Sequence, residues 1–227
     1  MTPHSAPYRD RHHAGQVLAT HLMHHRGQEG LLVLALPRGG VAVGFEVARA
    51  LQAPLDIFVV RKVGLPDHEE YAIGAIASGD VRVMNPLLGH HLDPAALDAA
   101  VAKAQRELRR REQLYRDQRS AQPLRDRFVI VVDDGLATGS TMRAALKAIR
   151  QQHPAHLTVA VPVGPASTCM GLSDLADEVV CVWMPSPFHA VGLWYQNFPQ
   201  ASDDEVRMLL AQADRAHALD LAAGGTT

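Results

Sequence analysis

An uncharged run of mostly β-branched residues that ends in two adjacent carboxylates constrains the fold of this chain more than any other segment. Residues 128–132 read Phe-Val-Ile-Val-Val, a composition typical of a strand that is buried on both faces. Asp133 and Asp134 follow, then a short loop rich in Gly and hydroxyl residues and a helix-forming stretch. Strand, loop and helix in this order predict an α/β sheet with a ligand site at the carboxyl end of the strand.

The loop after the two carboxylates has the chemistry of a phosphate site. It leads into the amino end of the next helix, where free backbone N–H groups and the helix dipole favour an anion. Its hydroxyl groups are further donors, and its glycine allows a close approach of the backbone. The loop residues are Ala137, Thr138, Gly139, Ser140 and Thr141. The alternative is an acidic turn and a capped helix without a ligand, but two adjacent carboxylates repel each other unless a cation or hydroxyl groups compensate.

Strand and helix patterns alternate along the remainder of the chain, which favours a mostly parallel sheet with helices on both faces. The 227 residues suit one domain over residues 1–214, with residues 215–227 as a fraying tail. Strands are predicted at 31–36, 55–60, 128–132, 157–163 and 178–183, and a hairpin at 72–84. Helices are predicted at 8–25, 40–51 and 93–119, from the Gly-rich loop to about residue 152, at 166–175 and from 203 onward.

Residues 129–141 resemble the thirteen-residue signature of the type I phosphoribosyltransferases, which have a Rossmann-like core. The resemblance implies that residues 137–141 bind the 5-phosphate of phosphoribosyl pyrophosphate (PRPP). It implies that Asp133 and Asp134 bind the ribose hydroxyls, with Mg²⁺ as the cofactor. Gly135 stands where the family usually has a branched apolar residue, and Ser140 where a second Gly is common. The layout over about residues 8–212 looks like the bacterial subfamily called "predicted phosphoribosyltransferases".

A second loop, Pro37-Arg38-Gly39-Gly40, lies between a predicted strand and a predicted helix. It resembles the pyrophosphate loop of the same family, in which the entering peptide bond is often cis, so we expect a cis Pro37–Arg38 bond. Arg61 and Lys62 are predicted to leave the second strand at its carboxyl end and to bind pyrophosphate, or else to form a solvated pair. The expected catalytic residues are Asp133, Asp134, Arg38 and Lys62.

Two further segments concern the acceptor. Residues 64–71 take the place of the family's mobile catalytic loop, but they are acidic here. Glu69 or Glu70 could be a general base, although solvated loop charges are the simpler interpretation. The aromatic segment 185–198, called the hood below, takes the place of the family's acceptor cover. Its Phe188, Trp194 and Tyr195 are candidates for an acceptor pocket, and a lid that touches no ligand is the alternative.

Composition narrows the partners. With 22 basic and 24 acidic residues the formal charge is −2, which makes nucleic acid an unexpected partner. No apolar run approaches the length of a membrane span, and two cysteines imply no disulfide framework, so a cytoplasmic protein is expected. His21 and His25 share a helical face, but no third ligand has a suitable spacing. The sequence therefore predicts no dedicated transition-metal site.

The leading hypothesis is a Mg²⁺-dependent transferase that moves the 5-phosphoribosyl group of PRPP to an acceptor, a nitrogen heterocycle in the simplest case, with release of pyrophosphate. One alternative is a non-catalytic regulatory protein that binds PRPP or a nucleotide. Another is a hydrolase or phosphorolytic enzyme that acts on a nucleotide-like phosphate. A homodimer is left open.

Overall fold

The computed structural model describes residues 6–65, 68–84, 93–116 and 119–224. Within these ranges, strands and helices alternate as the sequence predicts. The strands are β1 Leu31–Ala35, β2 Leu55–Ile57, β3 Val60–Leu65, β4 His68–Ala77, β5 Val81–Met84, β6 Phe128–Val132, β7 His156–Val163 and β8 Glu178–Trp183. The helices are α1 Arg11–His21, α2 Gly40–Leu51, α3 Pro94–Arg116, α4 Ser140–Arg150, α5 Ala166–Met170 and α6 Asp203–Gly224, with 3₁₀ turns at Met23–His25 and Val191–Trp194.

Five strands form one parallel sheet in the order β2-β1-β6-β7-β8. The chain passes from β1 to β2 on one side and from β6 to β7 on the other, so the direction of winding changes between β1 and β6. In open α/β sheets the ligand binds outside the carboxyl ends of the strands at such a point. The predicted fold class, a mostly parallel sheet flanked by helices, is confirmed.

Each face of this sheet has its own apolar core. Alternate residues of β1 enter different cores, because successive side chains of a strand point to opposite faces. Leu31, Val33 and Ala35 pack with helices α1, α2 and α6, whereas Leu32 and Leu34 pack with α4. Burial on both faces explains why the strand sequences are continuous apolar runs.

A separate antiparallel sheet, β3-β4-β5, replaces the loop predicted at 64–71. The second parallel strand ends at Ile57, and Arg61 and Lys62 lie inside β3, paired with Ile76 and Ala75 of β4. Their predicted position at the end of the second parallel strand is therefore wrong. Pairing with β4 keeps this charged segment extended. The pairing joins residues that are separated in sequence, so the local composition does not reveal it. The backbone of Glu69 and Glu70 belongs to β4, while their side chains and Asp67 lie outside the described residues.

The last helix extends to Gly224, well past residue 215, where the sequence predicts fraying. Its final turns are rich in Ala and Leu, which have high helix propensity. Ser202 caps its first turn, since the backbone N–H of Glu205 donates to Ser202 Oγ at 3.0 Å. None of the helices described is long and apolar enough to span a bilayer.

Candidate functional site

The two predicted anion loops meet at the carboxyl edge of neighbouring strands β1 and β6. The Pro37–Arg38 bond is cis, as expected. Gly39 has an ordinary helical backbone, which any residue can adopt. Glycine is needed there because no space is left for a side chain. A Cβ on Gly39 would overlap Asp134 Oδ2, and a Cβ on Gly40 would lie 2.8 Å from the carbonyl oxygen of Val132. The glycines thus let the second loop lie directly against the acidic pair.

Arg11 is part of this site, although no sequence motif points to it. Its Nε donates to Asp134 Oδ2 at 2.7 Å, and its Nη1 donates to the carbonyl oxygen of Pro199 at 2.7 Å. Its guanidinium carbon lies 3.7 Å from the centre of the Phe198 ring, a cation–π arrangement. Arg11 begins α1, 123 residues before Asp134. Only the tertiary fold brings this counter-ion to the acidic pair.

The acidic pair is electrostatically unbalanced. Burial raises the pKa of Asp133 well above the ordinary value of an aspartate, and the charge of Asp134 raises it further. Burial also raises the pKa of Asp134, although the hydrogen bond and charge of Arg11 act in the opposite direction. Asp133 Oδ1 accepts the backbone N–H of Asp134 at 2.9 Å. A cation or a set of hydroxyl donors beside Asp133 would favour its ionised form.

The hood fixes the backbone at the acidic pair. Tyr195 is buried, and its hydroxyl donates to the carbonyl oxygen of Asp134 at 2.5 Å. Gly135 replaces the branched apolar residue of the signature that this segment resembles, and a Cβ there would lie 2.6 Å from Val191 Cγ1 and 3.1 Å from the carbonyl oxygen of Val163. Glycine at this position therefore gives the hood room to pack against the turn.

The phosphate loop has the expected form. Gly139 adopts the left-handed conformation, with φ of 70°, and precedes Ser140, the first residue of α4, whose backbone N–H donates to Thr138 Oγ1 at 3.4 Å. Thr138 Oγ1 and Ser140 Oγ lie 3.0 Å apart, and Thr138, Ser140 and Thr141 are exposed. Thr168 Oγ1 donates to the carbonyl oxygen of Ala137 at 3.0 Å, which holds the loop from α5. A helix terminus with three exposed hydroxyl groups beside it is suited to an anion.

A cavity of about 890 Å³ extends from the phosphate loop along β3 and α3. Thr141, Arg61 and Lys62 line it, together with Lys103 and Arg106 of α3. Other lining residues from α3 are mainly alanines, with Glu107 as an acidic member. Arg61 Nε is buried and has no hydrogen-bond partner among the described residues. The basic pair thus faces the same cavity as the phosphate loop, although β3 rather than β2 positions it.

Four further residues of the predicted site have surroundings that the structure describes. Arg38 Nη1 lies 3.9 Å from Asp203 Oδ1 at the start of α6, and the side chain is partly exposed. Phe188 and Trp194 stack with their rings 6.3 Å apart and 18° from parallel. Trp194 Nε1 is buried without a partner in the described part of the chain, whereas the Tyr195 hydroxyl is engaged with the backbone.

Comparison with known proteins gives a consistent result. A family model described as "Phosphoribosyl transferase domain" matches residues 11–189. Two Mycobacterium tuberculosis proteins, from strains CDC 1551 and H37Rv, are provisionally named phosphoribosyl transferases and are each 48% identical over 210 residues. That alignment covers 92% of this chain but 46% of each relative, so the chain spans less than half their length. A crystal structure of a Thermus thermophilus protein is 41% identical with a TM-score of 0.80, and the match covers 90% of this chain and 98% of that one.

Proposed function

The chain belongs to the phosphoribosyl transferase domain family, and we propose that it transfers the 5-phosphoribosyl group of PRPP to a nitrogen acceptor with release of pyrophosphate. The observation that carries the proposal is the meeting of two anion-binding loops and an acidic pair at one edge of the sheet. The acidic pair suits ribose hydroxyls, and the loops suit the two phosphate-bearing ends of PRPP.

The residues present fit a hard divalent cation. Mg²⁺ prefers oxygen ligands and is commonly held by one or two carboxylates together with substrate phosphates. Asp133 has a raised pKa because it is buried beside Asp134, so its ionised form needs a partner. Asp134 already has Arg11 at Oδ2. We therefore propose that Asp133 and Asp134 hold Mg²⁺ through PRPP. The ionised form of Asp133 depends on the cation more than that of Asp134 does.

The proposed reaction needs positioning and charge stabilisation rather than a covalent intermediate. The backbone N–H groups and hydroxyls of residues 137–141 would hold the 5-phosphate, and the two aspartates would accept hydrogen bonds from the ribose hydroxyls. The acceptor nitrogen then attacks the anomeric carbon while the bond to pyrophosphate breaks. Arg38, Arg61, Lys62 and the amides of Gly39 and Gly40 would stabilise the charge that grows on the leaving group. Bound Mg²⁺ would neutralise part of the same charge.

The acceptor side of the proposal rests on the hood. Phe188 and Trp194 present stacked aromatic faces, and Trp194 Nε1 is a buried donor that lacks a partner among the described residues. A planar heterocycle with an acceptor atom at its edge would satisfy both features. Tyr195 contributes indirectly, since its hydroxyl holds the Asp134 carbonyl.

Calorimetry with PRPP and Mg²⁺ tests the binding half of the proposal. We expect the wild type to bind, and Asp133→Asn together with Asp134→Asn to weaken binding at least about 10-fold, which corresponds to about 1.4 kcal/mol. Asp126→Asn is the matched control, because Asp126 is exposed and lies just before the amino end of the same strand. Thermal melts of each variant check that all of them fold.

A mass-spectrometric screen of heterocyclic acceptors with PRPP tests the transfer half. The expected product is a ribonucleotide together with pyrophosphate. Binding of PRPP without turnover on any acceptor would favour the regulatory alternative, and release of ribose 5-phosphate without an acceptor would favour a hydrolase. No binding of PRPP by the wild type, or unchanged binding in the double variant, would refute the proposal as a whole.

A further inference from the structure

A cluster of imidazoles and one carboxylate lies at the sheet edge opposite to the candidate site. His24 and His25 belong to the 3₁₀ turn after α1. Glu178 is the first residue of β8 and pairs with Thr158 of β7. Because the strands are parallel, their amino ends lie at the edge away from the phosphate loops. The cluster therefore joins the end of the opening helix to an edge strand of the sheet, and plays no part in the proposed transfer.

The geometry of the cluster is that of a three-ligand metal site. His24 Nε2 lies 3.0 Å from Glu178 Oε1, and His25 Nε2 lies 2.7 Å from Glu178 Oε2. One ligand atom from each of the three residues can be chosen so that all lie within 4.8 Å of one another. The two imidazole rings are 4.1 Å apart at their centres. Both rings thus present Nε2 to a single carboxylate.

The carboxylate at the centre is held by a second layer of contacts. Thr158 is fully buried, and its Oγ1 donates to Glu178 Oε2 at 3.1 Å. His25 is 9% exposed, whereas the His24 side chain is 55% exposed. The cluster therefore has a rigid inner side and one side open to solvent. Supporting hydrogen bonds that orient a ligating carboxylate are a regular feature of metal sites.

We propose that His24, His25 and Glu178 bind one divalent transition-metal ion, with Zn²⁺ as the best match. Zn²⁺ takes imidazole nitrogens at about 2.0–2.1 Å and carboxylate oxygens at about 2.0–2.2 Å, usually with tetrahedral geometry. Ligand atoms around such an ion are about 3.3 Å apart. One ligand atom from each residue lies within 4.8 Å of the others, so an ion would draw the three side chains together by no more than about 1.5 Å. Water reaches the fourth position beside exposed His24. Two nitrogen ligands disfavour Mg²⁺ and Ca²⁺, which take oxygen ligands.

Bound metal would replace two hydrogen bonds with a bridge between the 3₁₀ turn Met23–His25 and β8. An ion that binds only the folded chain raises its melting temperature in proportion to the logarithm of its concentration. The proposed role is thus structural stabilisation of the sheet edge. It is independent of PRPP binding, because none of its residues takes part in the proposed phosphoribosyl site.

The test uses the untagged full chain after chelator treatment. Calorimetry with Zn²⁺ should give one site per chain, Zn²⁺ should raise the melting temperature, and Co²⁺ should give the intense visible absorption of a tetrahedral site. Removing a group that only supports a metal ligand lowers the metal affinity roughly 10–100-fold. Glu178→Gln and His24→Ala each remove a ligand, so each should lower the Zn²⁺ affinity by at least that factor. His24→Ala changes an exposed side chain and keeps the test decisive if Glu178→Gln does not fold.

The matched control is His12→Ala. His12 Nδ1 lies 3.0 Å from Glu46 Oε1, so this variant removes a histidine–carboxylate pair from another place in the fold. We expect it to bind one equivalent of Zn²⁺ as the wild type does. The proposal is overturned if the wild type binds no stoichiometric Zn²⁺ or Co²⁺, or if His24→Ala binds as tightly as the wild type. It is also overturned if His12→Ala loses as much affinity, since binding would then be distributed over the 13 histidines.

Discussion

At the scale of single residues, the acidic pair combines burial, repulsion and one counter-ion. Burial and the neighbouring charge of Asp134 raise the pKa of Asp133, and Arg11 compensates mainly Asp134. A carboxyl group whose pKa is higher in the folded chain than in the unfolded chain holds its proton to higher pH when folded. Its stabilising contribution is therefore complete at low pH and is lost as pH rises through the folded-state pKa.

Asp133→Asn should remove the loss of stability at high pH, because the amide is a neutral isostere of the protonated acid. Without PRPP and Mg²⁺, we expect the melting temperature of the variant to exceed that of the wild type by an amount that grows as the pH rises from about 5. In a chain of this size, each kcal/mol of stability shifts the melting temperature by about 2–4 °C. Melting curves over this pH range measure the difference, with Asp126→Asn as the exposed control. A difference that stays constant with pH would contradict the electrostatic explanation.

At the scale of elements, the hood and the turn after β6 are matched in shape. A Cβ on Gly135 would lie only 2.6 Å from Cγ1 of Val191, which belongs to the 3₁₀ turn Val191–Trp194. Tyr195 follows that turn and anchors it to the Asp134 carbonyl. A change at Gly135 should therefore act on the position of the hood, not only on the local turn.

Gly135→Ala should lower the free energy of unfolding by about 1–3 kcal/mol, as for other overpacked sites. Val191→Ala removes the nearest atom, so the double variant should lose less than the sum of the two single variants, with a coupling of about 0.5–3 kcal/mol. Denaturant unfolding of the four proteins measures this coupling. Val17→Ala is the comparison, because Val17 packs in the same apolar cluster but is not among the nearest neighbours of the Gly135 Cβ position. The effects of Val17→Ala and Gly135→Ala on the free energy of unfolding should add. If the effects of Val191→Ala and Gly135→Ala also add, the steric match is refuted.

At the scale of the whole molecule, one buried ion pair connects α3 to the parallel sheet. Arg116 ends α3, and its Nε donates to Asp56 Oδ1 of β2 at 3.0 Å, while its Nη2 donates to the Ile57 carbonyl oxygen at 2.7 Å. Both side chains are nearly inaccessible to solvent. Since α3 also lines the basic cavity, this contact fixes one wall of the cavity relative to the sheet.

Arg116→Ala should destabilise the chain by about 3–5 kcal/mol, because Asp56 would remain buried without its counter-charge. Arg109→Ala is the control, since the Arg109–Asp80 pair is exposed and such pairs contribute about 1 kcal/mol or less. Chemical unfolding of the two variants gives the comparison. Equal effects of the two substitutions would show that the buried pair has no special role in docking α3.

Local patterns in the sequence predicted much of this arrangement. The buried run 128–132, the two carboxylates and the Gly-rich loops indicated the parallel sheet and the two loops for which we propose phosphate binding, since each depends on neighbours within one motif. The hairpin at 72–84 and the cis Pro37–Arg38 bond are also as predicted. The extent of β3 and β4 was not predicted. Pairing between these strands makes the segment extended despite the polar composition of residues 61–71.

The sequence by itself determined which strands are buried and which loops lead into a helix terminus, because strand burial and the strand–loop–helix order follow from adjacent residues. Tertiary structure alone decided that Arg11 would face Asp134, that Gly135 would make room for Val191, and that two histidines would meet Glu178. The first of these contacts joins positions 123 residues apart, and the histidines lie 154 and 153 residues before their carboxylate. No local spacing encodes such distances, since they depend on how the packed helices and strands bring their ends together.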